Sequence, residues 1–222
     1  MDKQMLDLLN HFTQLGPMAI EKQSPQIARQ LPELRDAVLS VLQDYATKRL
    51  ISGVSIPMEN IQHFVIPGGH GGILARVYRP SSEHNLPVLL YFHGGGFVIA
   101  NLNSYDSSCR ALANMANCLV VSIAYRQAPE FPYPAAHEDA FASYEWLIKN
   151  VTSMGGDPSR IAIGGESAGA NLATSTCLQL LEKDLPLPVY QVLIYPLVDC
   201  DMQRNSYKIH ANAKPLNSAM MT

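Results

Sequence analysis

Ser167 stands at the centre of Gly165-Glu166-Ser167-Ala168-Gly169, a G-x-S-x-G pattern between an apolar run and a helix-like run. A serine hydroxyl is a weak nucleophile. It must be exposed, it needs a base for its proton, and it needs donors for the oxyanion formed when it attacks a carbonyl. The pattern answers the first need: Gly165 and Gly169 remove side chains that would crowd a sharp strand-to-helix turn, and the turn lifts the hydroxyl above a sheet edge. The third need points upstream, to His93-Gly94-Gly95-Gly96-Phe97 at the end of another apolar run. Consecutive glycines let a backbone come close to a substrate oxygen and turn N–H groups toward it. The N–H of Ala168 is a second donor source, at a helix N-terminus whose dipole favours negative charge. Either motif alone also fits a plain turn. In this order, each closing an apolar run, they imply acyl transfer to and from a serine. His93 precedes the glycines on the strand side, where it is expected to hydrogen-bond the loop into shape rather than serve as base.

These motifs need a scaffold, and the sequence supplies one from about residue 60 onward. Ile61–Ile66 and Ile73–Tyr78 flank Gly68-Gly69-His70-Gly71-Gly72 and read as a hairpin; no helix follows those glycines, which argues against a phosphate loop. Val88–Phe92, Leu119–Ala124, Ile161–Ile163 and Val189–Val198 are apolar runs suited to strands covered on both faces, the last interrupted by Pro196. Helical stretches alternate with them: Ser104–Met115 with Ser104 as N-cap, His137–Val151, and one from just after Ser167 to about Lys183. Asp157-Pro158-Ser159 reads as the turn before the elbow strand. Such alternation predicts right-handed crossovers and a mostly parallel sheet. Residues 1–55 differ. Met5, Leu8, Leu9 and Phe12, and later Leu34, Val38, Val41, Leu42 and Tyr45, recur at helical spacing, with Pro17, Pro25 and Pro32 between.

Composition narrows the function. With 47% apolar and 16% charged residues over 222 positions, the chain is globular and long enough for a real core. A net charge of -3 gives no reason to expect nucleic acid or an anionic membrane as partner. No apolar run approaches a membrane span, and Met1-Asp2-Lys3-Gln4-Met5-Leu6 has no secretory apolar core. Cys109, Cys118, Cys177 and Cys200 form no C-x-x-C pair and are expected as buried thiols in a cytoplasmic protein. The chemistry asks for no cofactor and no metal; a small-molecule ester is the expected partner.

Beyond the two motifs, Tyr125-Arg126-Gln127-Ala128-Pro129-Glu130-Phe131-Pro132-Tyr133-Pro134-Ala135-Ala136 and Tyr195-Pro196 to Asp199 closely resemble segments of the hormone-sensitive-lipase branch of the α/β-hydrolases, a group of carboxylesterases and lipases. The resemblance runs from about residue 60 to the end. It implies an α/β-hydrolase core over 56–222 and a helical cap region over 1–55, with 200–222 starting the returning cap. It implies Ser167 as nucleophile, with Gly95, Gly96 and Ala168 donating oxyanion-hole N–H groups and Gly94 assisting the loop shape. Glu166 meets the branch's acidic second position of the elbow, Tyr125–Pro134 braces the core beneath the site, and Phe97 and Val98 line an apolar wall. Short to medium acyl esters are the implied substrates.

The triad order in this fold is serine, acid, histidine. After Ser167 the acids are Glu182, Asp184, Asp199 and Asp201, and the only histidine is His210. In the resembling branch the acid follows strand seven and the histidine strand eight, whereas Val189–Val198 counts as the sixth. The expectation is therefore a chain lacking the last strands and the triad Asp and His. An in-chain triad of Asp199 or Asp201 with His210 is the competing assignment, and a non-catalytic ligand-binding homologue or an inactive fragment is the competing function. Val189–Tyr195 would then be an apolar edge strand open to self-association.

Overall fold

The computed structural model describes residues 2–48, 55–68, 71–213 and 216–221. Six strands form one sheet: β1 (Asn60–Ile66), β2 (Ile73–Arg79), β3 (Leu86–Phe92), β4 (Leu119–Ala124), β5 (Gly156–Glu166) and β6 (Tyr190–Ile194), in the order β1-β2-β4-β3-β5-β6. The expected hairpin is present, with Ile61 opposite Tyr78 and Ile66 opposite Ile73; Gly69 and His70 of its turn lie outside the described residues. β2 is antiparallel to β4, and β4, β3, β5 and β6 run parallel. β3 sends its crossover to β4 on one side, and the chain then returns to place β5 on the other. The strand order reverses at β3, the place where open α/β sheets leave a crevice at the carboxyl ends of their strands.

Alternation along β3 shows why the sheet is buried on both faces. Val88, Leu90 and Phe92 join one cluster with α5 (Ala135–Asn150) and α6 (Ala168–Glu182), while Leu89 and Tyr91 join another with Cys109 and Ala113 of α4 (Asp106–Ala116). The apolar runs of β3 and β4 follow directly, since every position but the half-buried Pro87 and Ala124 is buried.

The structure corrects several local expectations. Helix α4 begins two residues after Ser104, and its N-cap position is Tyr105, with no side-chain cap bond. The Ser104 hydroxyl instead accepts the Asn101 N–H at 3.0 Å, and Asn101 Oδ1 accepts from the N–H groups of Asn103 and Ser104. That local turn outcompetes capping. The elbow strand is longer than its apolar run, and Asp157-Pro158-Ser159 falls within its span, looped out where Leu86 pairs Gly156 but Val88 already pairs Ile161. The last run pairs only as far as Ile194. Cys109, Cys118 and Cys177 are buried, but Cys200 is exposed.

Packing divides the chain into two units, Leu42–Pro196 and a second made of Met1–Val41 with Leu197–Thr222. The second contains α1 (Lys3–Gln14), α2 (Pro25–Ala28), most of α3 (Leu34–Thr47), α7 (Asn205–Ile209) and α8 (Ser218–Met221). Both expected N-terminal helices form, and Asp2 caps α1 by accepting the Gln4 N–H at 2.9 Å. Their apolar stripes are not buried as the periodicity suggests: α1 has no buried residue and α3 buries only Ala37.

A truncated side chain at the centre of the sheet tests this layering. Leu90 is fully buried, so Leu90→Ala is expected to lower unfolding free energy by about 2–5 kcal/mol. Leu181→Ala, at a side chain 65% exposed on α6, is expected to change it by roughly 0.5 kcal/mol or less. Urea denaturation of both variants measures the contrast.

Candidate active site

The two motifs meet because their strands are neighbours. β3 and β5 are hydrogen-bonded in parallel with Phe92 opposite Gly165, so the loop after Phe92 and the turn after Glu166 leave the same edge of the sheet side by side. Their approach is closer than any side chain permits. A Cβ on Gly165 would lie 2.5 Å from the Phe92 carbonyl oxygen, and one on Gly169 would lie 2.5 Å from the His93 carbonyl oxygen.

Between these glycines Ser167 takes φ 54° and ψ -116°, a strained conformation for a residue with a side chain. Two backbone bonds hold it: its N–H donates to the Ile194 carbonyl at 3.0 Å, and its carbonyl accepts the Asn171 N–H at 3.1 Å. The side chain is half-buried at the N-terminus of the 15-residue α6, where the helix dipole favours negative charge.

The glycine loop turns back on itself. Gly95 has φ 114°, and its carbonyl accepts the N–H groups of Val98 and Ile99 at 3.0 and 2.9 Å. Among the described residues, the N–H groups of Gly95, Gly96 and Ala168 donate to no protein acceptor. Three backbone donors at two adjoining strand ends can receive a developing oxyanion.

His93 lies inside this loop. Its Nδ1 is 2.7 Å from the Gly94 carbonyl oxygen, which can only accept, so Nδ1 carries the proton. The ring stacks on Tyr125 at 4.4 Å, and the Tyr125 hydroxyl donates to the His93 carbonyl at 2.8 Å. The expected bracing role of the Tyr125 segment is visible in its bonds. Gln127 Nε2 donates to the carbonyls of Ile99 and Ala100 at 2.8 and 3.1 Å, and the Ala128 N–H to Phe97 at 2.9 Å. Arg126 is anchored on the buried Asp139, which accepts its backbone N–H at 2.8 Å and its Nε at 2.9 Å. Ala128–Pro129 and Tyr133–Pro134 are cis.

Two residues escaped the sequence reading. Tyr105 donates to Glu166 Oε1 at 2.7 Å, and the Tyr195 phenol faces the same carboxylate. His137 Nε2 is 3.0 Å from Asn171 Oδ1, and its ring is 5.7 Å from that of Phe97. Neither falls in a motif; the Tyr105–Glu166 contact spans 61 residues of sequence. Phe97 is half-buried and packs against the core cluster beneath the loop, while Val98 is half-buried. Asp199, Asp201 and His210 belong to the other packing unit, where Asp199 pairs with Arg204. Among the described residues no group of three or more His, Cys, Asp or Glu side chains is placed to hold a metal ion, and no helix is long and apolar enough to cross a membrane.

Strand order, elbow and glycine loop together define an α/β-hydrolase. A family profile described as the α/β hydrolase fold matches residues 89–222, and the chain belongs to that family. Within it the chain falls in the hormone-sensitive-lipase-like branch of carboxylesterases. It is 41% identical to carboxylic ester hydrolase LipN of Mycobacterium tuberculosis over 152 residues, covering 66% of this chain and 40% of that protein. It is 36% identical to carboxylesterase NlhH of the same organism over 214 residues, covering 87% of this chain and 66% of that one. A hyperthermophilic esterase from the archaeon Pyrobaculum calidifontis superposes with a TM-score of 0.83 at 32% identity, covering 100% of this chain and 68% of that chain. The chain thus spans between 40% and 66% of the length of the two mycobacterial relatives.

Burial makes His93 a pH-sensitive element of stability. Desolvation pulls its pKa from 6.5 down to about 4, against a smaller opposing effect of the Gly94 carbonyl. Between these values the unfolded chain binds the proton and the folded chain does not. The contribution of a neutral His93 is therefore complete above about pH 6.5 and is lost as pH falls toward 4, by on the order of 3 kcal/mol. Urea midpoints from pH 7 to 4 are expected to fall more steeply for the native chain than for His93→Asn; equal slopes would contradict a buried neutral imidazole.

Proposed function

We propose that this chain carries the nucleophile and the oxyanion hole of a serine carboxylesterase that acts on short to medium acyl esters. The observation that carries the reading is the set of three unspent N–H groups, from Gly95, Gly96 and Ala168, at the strand ends that flank a strained, half-buried Ser167. In the proposed reaction Ser167 Oγ bonds to the carbonyl carbon, its proton passes to a base, and the carbonyl electron pair moves onto oxygen. That oxyanion accepts the three N–H groups. Collapse expels the alcohol, which takes the proton, and water releases the acid from the acyl-serine. Each donor would contribute roughly 3 kcal/mol to the transition state. Gly94 and His93 shape the loop, and Phe97 and Val98 form an apolar wall for the acyl group.

The reading keeps Asp199, Asp201 and His210 out of the reaction and places neither the acid nor the base among residues 1–222. It draws support from the bonding of His93 and His137, since His93 Nδ1 is spent on Gly94 and His137 Nε2 faces Asn171. Residues 1–55 and 200–222 are proposed as parts of a cap, and a cytoplasmic setting suits the unpaired thiols.

Removing the histidine of a serine triad costs about 10^6 in kcat. The purified chain is thus expected to hydrolyse p-nitrophenyl butyrate at close to the background rate. It should still form a slow fluorophosphonate adduct on Ser167, mapped by peptide mass spectrometry and absent in Ser167→Ala. An adduct that survives in Ser167→Ala would overturn the nucleophile assignment. Rapid turnover abolished by Ser167→Ala would keep the nucleophile and overturn the missing base.

A further inference from the structure

Tyr105 touches both halves of the site. Its ring stacks on His93 at 5.8 Å and 30°. Its hydroxyl donates to Glu166 Oε1, the residue immediately before the nucleophile, at 2.7 Å. The same hydroxyl lies against Gly94: a Cβ there would be 2.7 Å from Tyr105 Oη and 3.1 Å from the Glu166 carbonyl oxygen. One phenol is therefore wedged between the glycine loop after β3 and the elbow after β5. The Tyr195 phenol, one residue past β6, faces the same Glu166 carboxylate.

We propose that Tyr105 and Glu166 are positioning residues that set the register between the oxyanion loop and Ser167. The proposal rests on the esterase reading of the site and assigns neither residue a role in bond making. The β3–β5 ladder fixes only the strand ends, and the groups that must converge on one carbonyl lie beyond it, on loops. A hydrogen bond to a carboxylate is short, directional and roughly twice as strong as a neutral one. Anchored on a stacked ring, it ties the two loops at a defined spacing. Small errors of spacing weigh heavily, since about 1 Å of misplacement can cost about a hundredfold in rate. Burial, followed by the charge of Glu166, raises the pKa of the Tyr105 phenol, and burial with Glu166 raises that of Tyr195. Both phenols therefore remain protonated donors at neutral pH, and the tie does not loosen by ionisation there.

The test uses the whole chain and the rate of fluorophosphonate labelling at Ser167, with thermal melting as the folding control. Tyr105→Phe keeps the stacked ring and removes the donor. It is expected to slow labelling by roughly tenfold or more with a melting temperature close to that of the native chain. Glu166→Ala should slow labelling similarly, and Glu166→Gln, which keeps an acceptor oxygen, should recover part of the loss. Labelling by Tyr105→Phe at the native rate, or losses that merely follow the melting temperature, would overturn the proposal. A native chain whose label is indifferent to Ser167→Ala would sink the esterase reading instead. In that case hydrogen exchange by NMR decides the register. Faster exchange in Tyr105→Phe at the bonded amides of the two loops, Val98 and Ile99 on Gly95 and Ser167 on Ile194, supports the tie, and unchanged exchange refutes it.

Discussion

Everything in the core unit depends on the contact between the elbow and the end of β3. Gly165 and Gly169 bring the turn so near the carbonyls of Phe92 and His93 that one methyl group at either position would force the strands apart. Close backbone approach is a use of glycine that no other residue can replace. The same contact brings two loops together: the one that can donate to an oxyanion and the one that can attack a carbonyl. Sheet order does the rest. Because β4 and β5 lie on opposite sides of β3, the strand order reverses at the point where the loops emerge.

The loops are held by polar contacts that are buried and satisfied. His93 is 1% exposed, yet its Nδ1, its carbonyl and its ring are all engaged. A neutral imidazole can be buried at modest cost when its donor is used, whereas a charged one could not. Arg126 and Asp139 solve a harder version of the problem. Asp139 is 1% exposed and accepts from both the backbone and the guanidinium of Arg126, so the ion pair is compensated by hydrogen bonds as well as by charge. The result is a segment from Tyr125 to Ala128 whose Gln127 Nε2 and Ala128 N–H donate to the carbonyls of Ile99, Ala100 and Phe97 and so lock the return of the glycine loop.

Much of this was legible in the sequence. The runs of β3 and β4, the hairpin and the helix after Ser167 are short-range patterns, and periodicity reports them directly. The motif glycines were legible too, because close approach leaves no alternative residue. Ser104 was misread because two local hydrogen-bonding options compete for one hydroxyl, and the Asn101 turn wins. The apolar stripes of α1 and α3 gave the helices but not their burial, since amphipathicity names a face without naming what covers it. Tyr105 was invisible for a different reason. A tyrosine at a helix start carries no pattern, and its partner Glu166 is 61 positions away.

Ser167 shows how these layers combine. A non-glycine residue at positive φ costs of the order of 1–3 kcal/mol and persists only where its surroundings over-determine it. Here the surroundings act on every side. β6 takes the N–H through Ile194, the first turn of α6 takes the carbonyl through Asn171, and the two glycines admit no relaxation toward β3. The strain is therefore fixed by groups that need no ligand to be in place, so the backbone that carries the Ser167 side chain is set in the resting fold. The same holds for the donors. An N–H left unpaired in the resting fold costs stability, but it requires no reorganisation when charge develops, which is the condition under which backbone dipoles are most effective against an oxyanion.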